Sequence, residues 1–329
     1  MRKILIILSL TLSVNISAQE ILSLKDRAGF INGLQQDRFN NLLPSLMKKT
    51  SIDMWVLITR EYNEDPIIKT MLPPKWLNAR RTTILVFSRD SKTNEFKSVA
   101  ITRYPFGDNI PSIWDKDKQP NQWKALRDYI VSQDPGKIGI NSSSYESLAD
   151  GLSKYHYDQL YNILPNKYRN RIVSAEDLAI SWIETRTAME MTVYSHLVEI
   201  SHAIIREAFS TKVITPGITT TDDVVWWMRE KVVDLGLDTW FHPTVDVQRK
   251  DASDLYAFDN KSKFDRIQPG DLLHCDFGIS YLTLNTDCQE LGYVLKPGET
   301  NAPYFLVNAL KEGNRVQDIF TNNFALGVT

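Results

Sequence analysis

Short β-like runs alternate with longer helical stripes along this chain, and that alternation confines it to the α/β or α+β classes. Residues 54–60, 82–88, 97–102 and 137–141 are apolar, β-branched runs of strand length. A helix around 147–163 is indicated by Leu148, Leu152, Tyr155 and Leu160, with the Ser142–Ser144 hydroxyls available to cap it. A sheet covered by helices on its faces accounts for this first block. Residues 165–185 connect it to a second block, where Val193, Leu197, Ile200, Ile204 and Ala208 share one stripe of a long helix. Pro216-Gly217 breaks the chain there. Thr220, followed three residues later by Asp223, then caps another helix that carries Val224, Met228, Val232 and Leu235 and is closed by Gly236. Neither an internal repeat nor a low-complexity tract interrupts the pattern.

With 43% hydrophobic and 24% charged residues among 329, the chain has the make-up of two ordinary globular domains, expected at 20–173 and 174–329. Thirty-eight basic residues against 40 acidic leave a net charge of −2, which provides no basic face for nucleic acid or a membrane surface. Small neutral or zwitterionic ligands suit it better. Residues 1–19 read as a secretory signal: Arg2 and Lys3 precede an apolar core at 4–14, and Ser17 and Ala18 are small residues at a cleavage site after Ala18 or Gln19. That core is shorter than the roughly 20 residues a membrane span needs. The mature protein is therefore expected in the periplasm or outside the cell, with a retained anchor as the alternative. Trp226 and Trp227 serve a homodimer contact or a core equally well.

Chemistry concentrates at 269–294. A Pro269-Gly270 turn opens two extended runs separated by a loop around 278–284. Period-two alternation puts Leu272, His274 and Asp276 on one face and Leu273, Cys275 and Phe277 on the other, while Asp287 and Gln289 share a face opposite Cys288. Antiparallel pairing with Asp276 opposite Asp287 would bring two carboxylates to one point. Like charges so placed need a cation or a shared proton between them. The alternative is that one aspartate caps the loop and the other is solvated. In the same register Cys275 and Cys288 face each other, as a cross-strand disulfide or as two reduced, buried thiols.

An α/β block, two helices, a Pro-Gly-Asp turn, Asp276-Phe277-Gly278, a loop with Tyr281, and Asp287 eleven residues after Asp276 together resemble the pita-bread metallopeptidases. That group includes aminopeptidase P, prolidase, methionine aminopeptidase and the metal-free creatinase, and the resemblance covers nearly all of the mature chain. It implies a creatinase-type N-terminal α/β domain followed by an incomplete α+β pita-bread domain. It also implies that Asp276 and Asp287 are the first two ligands of a dinuclear manganese, cobalt or zinc centre, which hydrolyses the N-terminal bond of small Xaa-Pro peptides through metal-activated water.

Three departures qualify the implication. The family's remaining ligands, a histidine and two glutamates, lie downstream of the hairpin; here the residues after Asp287 contain no histidine, and Glu299, Glu312 and Asp318 fall in a loop or on a helical pattern with Leu306, Leu310 and Ile319. The chain as written is thus expected to be C-terminally truncated, to bind metal poorly and to be inactive. A substrate-facing histidine is also missing at Ala257-Phe258-Asp259; His242, in Phe241-His242-Pro243, takes its role or simply packs at a strand entrance. Cys288-Gln289-Glu290 replaces the Arg-Thr pair frequent in Xaa-Pro enzymes. A creatinase-like amidohydrolase without metal and a non-catalytic binding module remain as competing readings.

Overall fold

A computed structural model describes residues 21–248 and 266–325. The expected signal segment and the Ala257-Phe258-Asp259 neighbourhood lie outside the described residues. Among those described, no helix is long and apolar enough to cross a membrane.

The first unit is a five-stranded mixed sheet of β1 (Met54–Arg60), β2 (Thr82–Arg89), β3 (Phe96–Ala100), β4 (Ile138–Ile140) and β5 (Ile172–Ser174), in the order β3-β2-β1-β4-β5. Its antiparallel half, β1 with β2 and β2 with β3, is joined to a parallel half in which β4 pairs with β1 and β5 with β4. Central β1 is buried on both faces, which is why MWVLIT reads as a continuous apolar run rather than an alternating one. Helices α1 (Leu24–Asp37), α2 (Leu43–Thr50), α3 (Pro66–Met71), α4 (Gln122–Gln133), α5 (Lys154–Ile163), α6 (Asn166–Arg169) and α7 (Glu176–Glu184) complete this half of the chain. Phe39, Met47, Ile67 and Trp182 close one face of the sheet, and Leu126, Ile130, Leu160 and Tyr168 the other.

The helix expected around 147–163 proves to be two pieces, a 3-10 turn at Ser147–Ala149 and then α5. The cap is Ser153, whose hydroxyl accepts from His156 N, and not the Ser142–Ser144 run; Ser143 instead closes a tight turn onto Tyr145 N and Glu146 N.

In the second unit α8 (Ala188–Ala208) and α9 (Thr221–Asp234) lie against the sheet formed by β6 (Thr244–Gln248), β7 (Leu272–Phe277) and β10 (Cys288–Tyr293), in the antiparallel order β10-β7-β6. Leu197, Ile200, Ile204 and Ala208 from α8, with Val224, Met228 and Val232 from α9, meet Leu273, Cys275 and Phe277 of β7 in one core. Helix α9 begins at the expected Thr220–Asp223 capping box and ends at Gly236, at φ 64°, where Gly236 N and Leu237 N satisfy the Val233 and Val232 carbonyls. Strand β6 escaped sequence reading. Beyond the sheet, α10 (Tyr304–Asn322) buries none of its residues.

Helix α7 belongs to the first core and α8 to the second, with residues 185–187 between the two helices. A buried ion pair bridges them. Arg38, in the π-helical turn Arg38–Leu42 after α1, donates through Nη1 to both Glu190 carboxylate oxygens and to Thr185 O, each at 2.9 Å, and through Nη2 to Trp182 O. Glu190 also forms the capping box of α8 with Thr187.

Candidate functional site

The hairpin that carries the two aspartates is continuous, because β8 (Ser280–Tyr281) and β9 (Leu284–Asn285) pair at its tip between β7 and β10. Leu282 and Thr283 make the two-residue turn with φ of 54° and 67°, a left-handed geometry that normally selects Gly or Asn. The turn fixes the register: Tyr281 pairs with Leu284, Phe277 with Cys288, and Asp276 with Gln289. The expected partner of Asp276 was Asp287, so the pairing is displaced by two residues. Because the displacement is even, every side chain keeps its face. Asp287 becomes the diagonal neighbour of Asp276 instead of its direct partner, still within reach of a carboxylate.

The same shift corrects the cysteines. Cys275 lies opposite Glu290 and Cys288 opposite Phe277, and both are free and buried on the core face. Burial pushes the Cys275 thiol up to about 12 and raises that of Cys288 as well, so neither is poised as a nucleophile.

Asp276 sits half-buried on the other face, in a row with Thr244 of β6 and Gln289 of β10. Burial raises its pKa, and the neighbouring Asp287 raises it further through its charge and a shared hydrogen bond, against a smaller opposing effect of His274. Its Oδ1 is buried with no hydrogen-bond partner. The next row holds His274, whose Nε2 lies 3.2 Å from Gln289 Oε1, and Asp246.

Asp287 is aimed by Thr286, which is buried and bonded on three sides. Thr286 Oγ1 accepts from Ile279 N at 3.0 Å and lies 2.7 Å from Ser201 Oγ of α8, while its carbonyl accepts from Trp240 Nε1 at 2.7 Å. Gly278 permits this approach: a Cβ there would overlap Thr286 O and come within 2.6 Å of Phe241 Cε1 and Trp240 Nε1. The Asp-x-Gly spelling is thus a packing requirement of the strand crossing between the two aspartates.

His242 lies just before β6, at the end of the sheet where Gly278 brings Trp240 and Phe241 against the hairpin. Its ring stands edge-on to Trp226, centroids 5.4 Å apart, and its Nδ1 accepts from Arg229 Nη1 at 3.1 Å, leaving Nε2 to carry the proton. Trp226 is about half exposed, which removes it from the core. Behind the sheet His202 Nδ1 meets Glu290 Oε1, a pairing of α8 with β10 that the sequence did not suggest. Among the described residues no three His, Cys, Asp or Glu side chains are grouped to hold a metal ion.

The architecture is similar to two solved peptidase structures. Against the X-Pro aminopeptidase from Thermotoga maritima MSB8 the TM-score is 0.51 at 13% identity, over 75% of this chain and 64% of that one. A Bacillus anthracis structure named for aminopeptidase P gives 0.53 at 11% identity, over 79% and 65%. The chain shares their fold. It is a creatinase-type α/β domain joined to pita-bread elements, and it spans less than two thirds of either structure's length. No family model and no curated protein matches the sequence.

Proposed function

We propose that the chain is part of an Xaa-Pro-type metallo-aminopeptidase, with Asp276 and Asp287 holding one edge of its metal centre. One observation carries the reading: two carboxylates meet on a sheet face, and a buried oxygen of one, Asp276 Oδ1, lacks a donor. A divalent cation would satisfy that oxygen and relieve the repulsion, and of manganese, cobalt and zinc an all-oxygen edge suits manganese best. Bound there, such an ion supplies Lewis acidity toward a peptide carbonyl and lowers the pKa of water. The described residues fit two ligands and add no third, so no hydrolytic step is assigned to this chain alone, and we propose that it is inactive by itself. What the chain's own residues would do is hold the two carboxylates at a fixed diagonal, with Trp240 packed beside them at Gly278 and His242 offering its Nε2–H to a peptide. The same reading has the protein exported by residues 1–19 and acting on small peptides; the N-terminal residue of the secreted protein tests the export.

Calorimetric titration with Mn2+ tests the pair. Binding should be weak, on the order of 0.1–1 mM for so few carboxylates, accompanied by proton release, and abolished by Asp276→Asn or Asp287→Asn. Equal binding by wild type and both variants sinks the assignment. Extending the chain by the sequence that follows it in its gene should yield chelator-sensitive cleavage of Xaa-Pro peptides. Cleavage that survives chelator would point to a creatinase-like hydrolase, and peptide binding without turnover to a binding module.

A further inference from the structure

The first unit has a pocket that the peptidase reading does not use. It opens at the end of the sheet where β2 begins and β3 has just ended, has a volume of about 230 Å³, and is lined by Trp76, Trp114 and Tyr104, by Thr82, Thr83, Thr102 and Gln122, and by Arg80, Arg81 and Arg103. Its polar floor is largely committed internally. Thr83 Oγ1 donates to Arg80 O, Thr102 Oγ1 to Tyr104 O, Trp114 Nε1 to Gln119 O, and Gln122 Nε2 to Thr82 O and Ile101 O.

The guanidiniums are not committed. Among the described residues none of the three makes a side-chain hydrogen bond or an ion pair; Arg80 lies over the Trp76 ring at 4.8 Å, which leaves its N–H edge open. Glu61 accepts from the backbone N–H of Arg81 and not from its side chain. Arg81 also holds φ at 56°, a left-handed conformation that strains a non-glycine residue. Three like charges around one small opening are unfavourable on their own, and a planar fork matches the oxygens of a carboxylate or phosphate.

We propose that this pocket binds a small anion with a flat apolar body, its acidic group held by Arg80, Arg81 and Arg103 and its body laid between Trp76 and Trp114. Three open guanidiniums and a lining without a carboxylate select an acidic group, and the aromatic walls select what is attached to it. The inference goes beyond the peptidase reading and needs no metal.

Calorimetry on the full chain, with phenyl phosphate, benzoate, inorganic phosphate and benzylamine as probes, tests it. At least one of the two aromatic anions should bind saturably and more weakly as salt rises, and benzylamine should not bind. Tighter phenyl phosphate would identify a phosphoryl ligand, tighter benzoate a carboxylate; either outcome upholds an anion site. Arg80→Ala and Arg103→Ala should each weaken binding about tenfold, the loss of one charge-assisted contact. Trp76→Ala should weaken the aromatic anions while leaving inorganic phosphate unchanged. All three arginines are exposed, so replacing them disturbs no core, and an unchanged circular-dichroism melt verifies it. Failure of every anion to saturate below about 10 mM, or wild-type affinity in the Arg80→Ala/Arg103→Ala double variant, overturns the proposal.

Discussion

Asp276 bears a cost that can be read out by pH. Burial and Asp287 raise its pKa in the folded state, so folding favours the protonated form. The penalty is absent below the unfolded value of 3.8 and grows as pH rises through the raised folded value. Asp276→Asn should therefore be more stable than wild type at neutral pH and indistinguishable from it below 3.8, as judged by urea midpoints at the two pH values. Added Mn2+ should narrow the gap by stabilising the wild type alone. At Cys275, a thiol pushed up to about 12 should resist alkylation in the native protein, and denaturation without reductant should release two thiols. A blank thiol assay would restore the disulfide. These faces were legible in the sequence because alternation alone assigns them, and an even slip in register preserves them.

At the scale of the element, the hairpin shows where legibility ended. Strands β1 and β2 were evident since a strand buried on both faces is an unbroken apolar run, but the register of β7 on β10 depends on a turn that Leu282-Thr283 spells without Gly, Asn or Asp. Strand β6 is five residues with polar side chains at every second position, too short to stand out beside Pro243. By contrast, the Thr187-x-x-Glu190 box that starts α8 was available as a capping signature and went unread. The His202–Glu290 pair had no local signal, because its partners are joined only by packing α8 on β10. Gly278 holds the hairpin against Thr286, and Gly278→Ala should cost about 1–3 kcal/mol by overpacking in a denaturant melt. The variant should also weaken the Asp276–Asp287 coupling, so that Asp276→Asn gains less stability at neutral pH in the Gly278→Ala background than in the wild type.

For the whole molecule, Arg38 couples the two cores. It holds the end of α7 through Trp182 O and Thr185 O and the start of α8 through Glu190, so neither core can open without stranding a buried charge. Arg38→Ala should cost about 3–5 kcal/mol, the usual result of removing one partner from a buried pair, and should split a single calorimetric transition into two. Helix α10 contributes in the opposite sense. It buries no residue, so deleting residues 304–329 should leave the melting temperature nearly unchanged while reducing self-association.

That bare helix has a practical consequence. Phe305, Val307, Leu310, Val316, Ile319 and Phe320 stand in water on the native protein. A dye that glows only in oily surroundings should already be bright before any heating begins, and a melt followed by such a dye would start high and show little rise. Anyone screening ligands for this chain by that method would mistake a well-folded sample for a denatured one.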